Sequence, residues 1–122
     1  MIALNVDIEE VVRRLGDGPW TLLDVRTAAE YAGTRGNACD PRQGHIPGAR
    51  NLDVGELAGC ETVEQVHELV GLPVGSEIVA YCHSGSRSAL AVQVLRAAGY
   101  EAHNYVGSWH EWSRREDLPI EP

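Results

Sequence analysis

Short apolar runs alternate along the chain with segments whose apolar residues follow helical spacing. Five such runs predict strands, at residues 2–6, 21–25, 49–52, 77–81 and 102–106. Strands that alternate with helices are typical of βαβ units, in which the helices cover both faces of a parallel sheet. The pattern therefore predicts an α/β fold of three layers with a mainly parallel sheet of about five strands.

Four helices are predicted to begin at pairs of polar residues with capping-box spacing. In a capping box, the side chains of two residues three positions apart each accept a hydrogen bond from the backbone of the other. The four pairs are Asp7 with Glu10, Thr27 with Glu30, Thr62 with Gln65, and Ser108 with Glu111. The strongest helix pattern covers residues 86–98 and ends at Gly99, where a glycine stop belongs. Its polar side chains are few beyond Gln93 and Arg96, so we expect it to be packed over most of its surface. Residues 31–47 have no periodicity and predict a long surface loop, a type of segment that is often functional.

The chain has 122 residues, which is near the usual size of one domain, and we expect a single domain over residues 1–122. Its formal net charge of −8 would repel a phosphate backbone, so nucleic acid is not an expected partner. A small anionic substrate would need a pocket that is positive locally. The N-terminus lacks a basic region followed by an apolar run, and no stretch has membrane-spanning length. We expect a cytoplasmic protein with no membrane partner.

The cysteines Cys39, Cys60 and Cys82 lie far apart, without a C-x-x-C pair. This spacing argues against a zinc knuckle or a redox-active dithiol, and the odd number leaves at least one thiol free. No metal is expected from this pattern.

Cys82 lies between the predicted strand 77–81 and the predicted helix 86–98. Ligands collect at the carboxyl ends of parallel strands, where the next helix presents unpaired N–H groups and the positive end of its dipole. With Gly85 allowing a tight curl, the amides of residues 83–87 can converge on one point. The helix N-terminus and Arg87 favour the thiolate, and protonated His83 could add positive charge.

The length of this loop distinguishes two kinds of chemistry. Cysteine-dependent phosphatases use a longer loop, C-x-x-x-x-x-R, around a tetrahedral oxyanion, whereas Arg87 lies only five positions after Cys82. The shorter loop should close more tightly on the sulfur. It therefore suits a single added sulfur atom, as a persulfide, better than a phosphoryl group.

The motif C-x-x-G-x-R-S at residues 82–88, between a strand and a helix, resembles the active-site loop of the rhodanese family. Three further segments appear in the family's order: D-V-R at residues 24–26 with Glu30-Tyr31, G-H-I-P-G-A at 44–49 with Asn51-Leu52, and Y-V-G-S-W at 105–109 with Glu111-Trp112. The resemblance covers roughly residues 20–115 and is greatest to the catalytic half of two-domain thiosulfate or mercaptopyruvate sulfurtransferases. The chain lacks the other half, which leaves the substrate open.

The resemblance implies a rhodanese-like fold and a ping-pong reaction without a cofactor. Thiolate Cys82 would take a sulfur from a small anionic donor such as thiosulfate, and a thiol or cyanide would accept it from the persulfide. The loop residues expected to bind the donor are His83, Ser84, Gly85, Ser86, Arg87 and Ser88. Ser84, Ser86 and Ser88 are expected to contribute backbone amides or a helix cap more than hydroxyl chemistry. A protein acceptor of the sulfur also stays open.

Several residues keep two interpretations. Arg87 could bridge a strand-end acid such as Asp24 as well as bind substrate, and His83 could point to solvent. Cys39 could act as a second thiol that receives the persulfide, although an inert thiol is the simpler interpretation for Cys39 and for Cys60. Trp109 could line the pocket, but we expect Trp109 and Trp112 to serve in packing.

His45 and Pro47 are expected to be structural, as rigid residues of a turn before a strand. Arg26, Arg35 and Arg42 are candidate anion guides, but surface or salt-bridged positions are the simpler interpretation. Two rival functions remain beside sulfur transfer: a noncatalytic binding or regulatory module, and a cysteine-dependent phosphatase or arsenate reductase.

Overall fold

The computed structural model describes residues 5–122 and contains a five-stranded, wholly parallel sheet in the order β1-β5-β4-β2-β3. The strands are β1 (Asn5–Val6), β2 (Thr21–Asp24), β3 (Arg50–Asn51), β4 (Glu77–Tyr81) and β5 (Glu101–Tyr105). The predicted parallel sheet of about five strands is confirmed. Residues 2–4 of the first predicted strand lie outside the described residues.

The helices are α1 (Ile8–Arg14), α2 (Ala28–Tyr31), α3 (Val54–Ala58), α4 (Val63–Val70), α5 (Ser86–Ala97) and α6 (Ser108–Trp112). The capping boxes of Thr27 with Glu30 and of Thr62 with Gln65 form completely. Helix α3 was not predicted, because it has only five residues and contains a glycine, so that no helical period can be seen. Among helices in the described part of the chain, none is long and apolar enough to cross a membrane.

The predicted capping box at Ser108 is wrong. Gly107 occupies the N-cap of α6, and no side chain caps this helix. Ser108 instead has a positive φ of 54°, and its hydroxyl donates to the Tyr105 carbonyl at 2.8 Å. The sequence spacing could not show this, because the hydroxyl is drawn back towards the end of β5.

Two apolar cores separate the sheet from its helices, which confirms the three layers. Successive strand residues alternate between them: Leu23, Ile78 and Ala80 face α3, α4 and α5, whereas Leu22, Val79 and Tyr81 face α1 and α6. Trp109 and Trp112 of α6 are fully buried in the second core, so both serve in packing as expected.

Helix α5 is less buried than predicted. Its inner face packs on β4 and β5, but its outer face, with Ser86, Ala89, Leu90, Gln93 and Ala97, is exposed. Leu90 retains 44% of its accessible surface. The prediction of nearly complete burial was wrong because the outer face also has small or apolar residues, and such side chains occur on protein surfaces too.

The long loop (residues 31–47) is irregular beyond Tyr31 except for a single bridge between His45 and Glu121. Arg42 anchors it, because its guanidinium donates to four backbone carbonyls of the C-terminal segment: Trp112, Ser113, Arg115 and Leu118. His45 stacks on Tyr31 at 3.7 Å between ring centroids, in a structural position as expected.

A buried ion pair holds the other end of this loop. Asp24 and Arg26 are 0% and 1% exposed, and the Arg26 guanidinium donates to the Asp24 carboxylate at 2.8 Å and to the Gly44 carbonyl at 2.6 Å. The Arg26 guanidinium also lies 5.0 Å from the centroid of the Trp109 ring. Arg26 is therefore salt-bridged and out of reach of an anion in solvent.

Candidate active site

Cys82 follows β4 directly and is 1% exposed. Helix α6 fixes its backbone on both sides: the Cys82 N–H donates to the Ser108 hydroxyl at 3.1 Å, and the Trp109 N–H donates to the Cys82 carbonyl at 2.9 Å. The His110 N–H donates to the His83 carbonyl at 2.9 Å. The start of the cysteine loop (residues 82–88) is thus held by the neighbouring helix as well as by its own strand.

The Cys82 sulfur lies in a curl of N–H groups. The Gly85 N–H donates to Sγ at 3.0 Å, and the Ser84 and Ser88 amides also face the sulfur. Burial by itself opposes ionisation of the thiol, but the Ser88 hydroxyl and these three amides outweigh it and lower the pKa of Cys82. The site therefore favours a thiolate without a neighbouring general base.

Ser88 contributes its hydroxyl as well as its amide, contrary to the expectation that amides would predominate. Its Oγ lies 3.4 Å from the Cys82 sulfur and 2.7 Å from Asn104 Oδ1, and its single hydrogen can be donated to only one of these two acceptors at a time. The Asn104 amide nitrogen donates in turn to the Gly85 carbonyl at 3.1 Å. This buried network ties the sulfur, the curl and β5 together.

Gly85 is required by both its conformation and its surroundings. Its φ is +95°, in the left-handed region that favours glycine. A Cβ at this position would lie 2.7 Å from the Val106 carbonyl oxygen. Any larger residue would therefore push the curl away from β5 and change the distances of the amides from the sulfur.

Arg87 makes an ion pair at the mouth of the site, but its partner is not Asp24. The guanidinium donates to both carboxylate oxygens of Glu30 at 2.8 and 3.1 Å, while the Asp24 carboxylate is already held by Arg26. Partial burial alone would raise the pKa of Glu30, but the hydrogen bonds from Arg87 and Thr27 outweigh it and lower this pKa to about 2. The Arg87 side chain stays 35% exposed, so it can still meet a ligand.

His83 turns towards the long loop instead of solvent. Its Nε2 lies 2.8 Å from Asp40 Oδ2, and its ring meets the His110 ring edge-on, with 5.6 Å between centroids. Ser84 and Ser86 expose their side chains, so the contribution of Ser84 to the sulfur site is through its backbone.

A pocket of about 360 Å³ opens between the cysteine loop and the long loop. Arg35, His83 and Arg87 contribute basic side chains, and the other lining residues are Thr27, Glu30, Gly36 and Asn37. Glu30 balances the charge of Arg87, so Arg35 provides the excess positive charge among these lining residues, in contrast to the net charge of −8 of the whole chain.

Comparison with known proteins places these features in one family. The model of the rhodanese-like domain matches residues 7–115. The chain belongs to the rhodanese-like domain family. A thiosulfate sulfurtransferase of Pseudomonas aeruginosa is 32% identical over 93% of this rhodanese-like domain, but the match covers only 44% of that relative. The chain therefore spans less than half the length of this relative.

Solved structures have the same fold. The crystal structure of a probable thiosulfate sulfurtransferase is 41% identical, with a TM-score of 0.83 over 98% of this chain and 48% of that one. The human single-domain sulfurtransferase TSTD1 is 32% identical, with a TM-score of 0.72. The match covers 95% of this chain and 100% of TSTD1.

Four side chains that contact the cysteine loop were not predicted as parts of the site: Glu30, Asp40, Asn104 and Ser108. Glu30 and Ser108 were identified as helix-capping residues and as members of segments that resemble the family, without a contact to the cysteine loop. Asp40 and Asn104 come from the long loop and from β5, and nothing in their local sequence indicates a partner on the cysteine loop. The fold alone brings them together.

Among the described residues, two groups of neighbouring side chains consist of residue types that can bind a metal ion. One consists of Cys39, Asp40 and His83, beside the cysteine loop, and the other of Glu77, Glu101 and His103, at the opposite end of β4 and β5. In the second group, Arg14 already neutralises Glu77 through two hydrogen bonds of 2.8 and 2.6 Å.

Proposed function

We propose that this rhodanese-like domain is a sulfurtransferase that moves a sulfane sulfur from a small anionic donor to a thiol or cyanide through a persulfide on Cys82. The observation that carries the proposal is the curl of N–H groups around the Cys82 sulfur, which lowers the pKa of the thiol within the cysteine loop. A nucleophile of this kind, in a loop whose His83 and Arg87 line a neighbouring pocket, fits attack on an anionic sulfur compound.

In the first half-reaction, thiolate Cys82 attacks the outer sulfur of a donor such as thiosulfate. The S–S bond of the donor breaks, and sulfite leaves with the electron pair. In the second, an acceptor thiolate or cyanide attacks the outer sulfur of the persulfide and releases thiolate Cys82. No net oxidation occurs, and the cycle uses only groups of the protein and its two substrates.

The loop residues divide into two roles in this scheme. The amides of Ser84, Gly85 and Ser88 stabilise negative charge on sulfur throughout the cycle, because they already point at it before reaction. His83 and Arg87 line the pocket and attract the anionic part of the donor, and Ser86 contributes through the helix N-terminus.

The names of the relatives support this function but do not select a donor. The Pseudomonas relative is called a thiosulfate sulfurtransferase, and the human structure a single-domain sulfurtransferase. Thiosulfate and mercaptopyruvate both have an anionic group that the basic side chains can attract. A sulfur-accepting protein is a further candidate partner.

Intact-mass measurement after incubation with thiosulfate tests the proposal. We expect a mass gain of one sulfur atom in the wild-type chain and in Cys60→Ser, and no gain in Cys82→Ser. Cyanide should then remove the added sulfur and form thiocyanate. If thiosulfate, mercaptopyruvate and a persulfide donor all leave the mass unchanged, the domain is a binding module.

An aryl phosphate separates sulfur transfer from phosphatase chemistry. Since Arg87 is only five positions after Cys82, the loop is too short to surround a phosphoryl group in the way the longer phosphatase loop does. We therefore expect no hydrolysis above that of Cys82→Ser. Efficient hydrolysis that depends on Cys82 would contradict the proposed function.

A further inference from the structure

Three side chains of metal-ligand type converge where the long loop meets the cysteine loop. Cys39 and Asp40 come from the long loop, and His83 follows Cys82. One ligand atom from each, a sulfur, a carboxylate oxygen and an imidazole nitrogen, lies within 4.8 Å of the other two. Thiolate, carboxylate and imidazole are all ligands that Zn²⁺ takes in proteins.

Asp40 supplies a second, independent observation. Its side chain is fully buried, and one oxygen, Oδ1, accepts a hydrogen bond from Arg114 at 2.9 Å. The other oxygen, Oδ2, lies 2.8 Å from His83 Nε2, and within the described residues neither atom makes a regular hydrogen bond. Two buried polar atoms are thus in close contact, without the well-formed hydrogen bond that buried polar groups normally have.

We infer that Cys39, Asp40 and His83 form a binding site for a borderline-soft divalent cation, of which Zn²⁺ is the representative. Ligand distances of about 2.0–2.1 Å for nitrogen and oxygen place such atoms about 3.3 Å apart across a tetrahedral ion. The observed 2.8 Å between Asp40 Oδ2 and His83 Nε2 therefore needs to open by about half an ångström.

The sulfur is near the other two ligand atoms. Cys39 Sγ lies within 4.8 Å of an Asp40 carboxylate oxygen and of a His83 ring nitrogen, and a thiolate and a carboxylate on one zinc ion are about 3.5 Å apart. Three protein ligands leave a fourth position for water. The side chain of Cys39 is exposed, so an ion can enter from solvent.

Arg114 limits the affinity of this site. Its guanidinium lies 2.9 Å from Asp40 Oδ1 and 3.7 Å from Cys39 Sγ, and its positive charge repels a cation at both ligands. We therefore expect reversible binding.

The inference shares His83 with the proposed donor pocket but does not rest on the proposed function, because its test measures metal binding in a chain without the nucleophile. It is tested in a Cys82→Ser, Cys60→Ser chain, in which Cys39 is the remaining thiol. Co²⁺ serves as a spectroscopic probe for Zn²⁺. We expect about one equivalent of Co²⁺ with a thiolate-to-cobalt charge-transfer band and the absorption of a tetrahedral ion, displaced by Zn²⁺.

Replacement of the ligands gives the decisive comparison. In the same background, Cys39→Ser should remove the charge-transfer band, and Cys39→Ser, Asp40→Asn and His83→Gln should each weaken Zn²⁺ binding at least about tenfold in calorimetry. Glu64→Gln, on the exposed face of α4, should leave binding unchanged. Circular dichroism identifies any variant that has not folded.

Arg114→Gln gives a change in the opposite direction. Removal of the guanidinium should tighten Zn²⁺ binding, because a positive charge next to two ligands is lost. The inference is overturned if the folded background chain binds no Co²⁺, or if Cys39→Ser retains both the charge-transfer band and the affinity.

Discussion

The two loops that face each other across the pocket are stabilised in different ways. The cysteine loop depends mainly on backbone groups, since amides surround the sulfur and the first amides of α6 bind the Cys82 and His83 carbonyls. The long loop depends on three arginine side chains, Arg26, Arg42 and Arg114, that reach partners far away in the sequence. The comparison indicates that reactivity is encoded locally, whereas the shape of the pocket is set by distant pairs.

The largest effect is expected from breaking the buried pair that anchors the long loop. Asp24→Asn leaves the Arg26 guanidinium buried without its countercharge and should lower the free energy of unfolding by about 3–5 kcal/mol. Urea denaturation measures the change. The matched control is Glu10→Gln, which removes an exposed ion pair with Arg13 and should cost at most about 1 kcal/mol. Equal losses in the two variants would contradict the anchoring role of Asp24.

Gly85→Ala tests whether the cysteine loop really depends on its backbone. The added Cβ would clash with the Val106 carbonyl oxygen, and a shift of about 1 Å at the sulfur should lower the rate of sulfur transfer about a hundredfold. Gly75→Ala is the control, because Gly75 has a similar φ of +91° but open space around a new Cβ. The idea fails if both substitutions lower the transfer rate to the same extent.

Ser88→Ala tests the hydroxyl next to the sulfur. Without this donor the pKa of Cys82 should rise, and alkylation by iodoacetamide at neutral pH should slow roughly three- to tenfold. Ser86→Ala removes an exposed hydroxyl from the same turn of α5 and should leave the alkylation rate unchanged. A pH profile of alkylation measures both variants. An unshifted profile for Ser88→Ala would assign thiolate stabilisation to the amides alone.

The smallest effect is expected at the Glu30–Arg87 pair, which joins the two sides of the pocket mouth. The pKa of Glu30 is about 2 in the folded chain and below its ordinary value of 4.5. The pair therefore contributes stability above about pH 4.5, and this contribution is lost as the pH falls towards 2. Glu30→Gln should cost up to about 1 kcal/mol at pH 7 and almost nothing near pH 2. A difference from wild type that does not depend on pH would exclude this linkage.

The same contrast between local and distant interactions explains how far the sequence could predict the molecule. Strands β2, β4 and β5 and the capped starts of α2 and α4 follow from apolar runs and polar spacing within a few residues. So do the position of Cys82 after a strand and the need for Gly85 in the curl. These features depend on chain conformation over one turn or less.

Other features depend on the folded arrangement and could not be predicted in this way. A strand-end acid such as Asp24 was one candidate partner of Arg87, but the fold places Glu30 beside Arg87 at the pocket mouth, and Asp24 pairs with Arg26. The hydroxyl of Ser108 was expected to cap α6, yet it accepts from the Cys82 N–H. In both cases, a polar side chain has several candidate hydrogen-bond partners along the sequence. The arrangement of the strands in the sheet determines which of these partners lies close to it.

The attachment of the cysteine loop to α6 also affects the order in which the chain matures. During synthesis the strand that precedes Cys82 is made well before residues 108–110, whose hydroxyl and amides complete the backbone contacts of Cys82 and His83. Until that late segment has emerged and docked, the backbone of Cys82 and His83 lacks these contacts, although the amides that face the sulfur belong to the cysteine loop itself. The position of the nucleophile is thus fixed late in the synthesis of the chain.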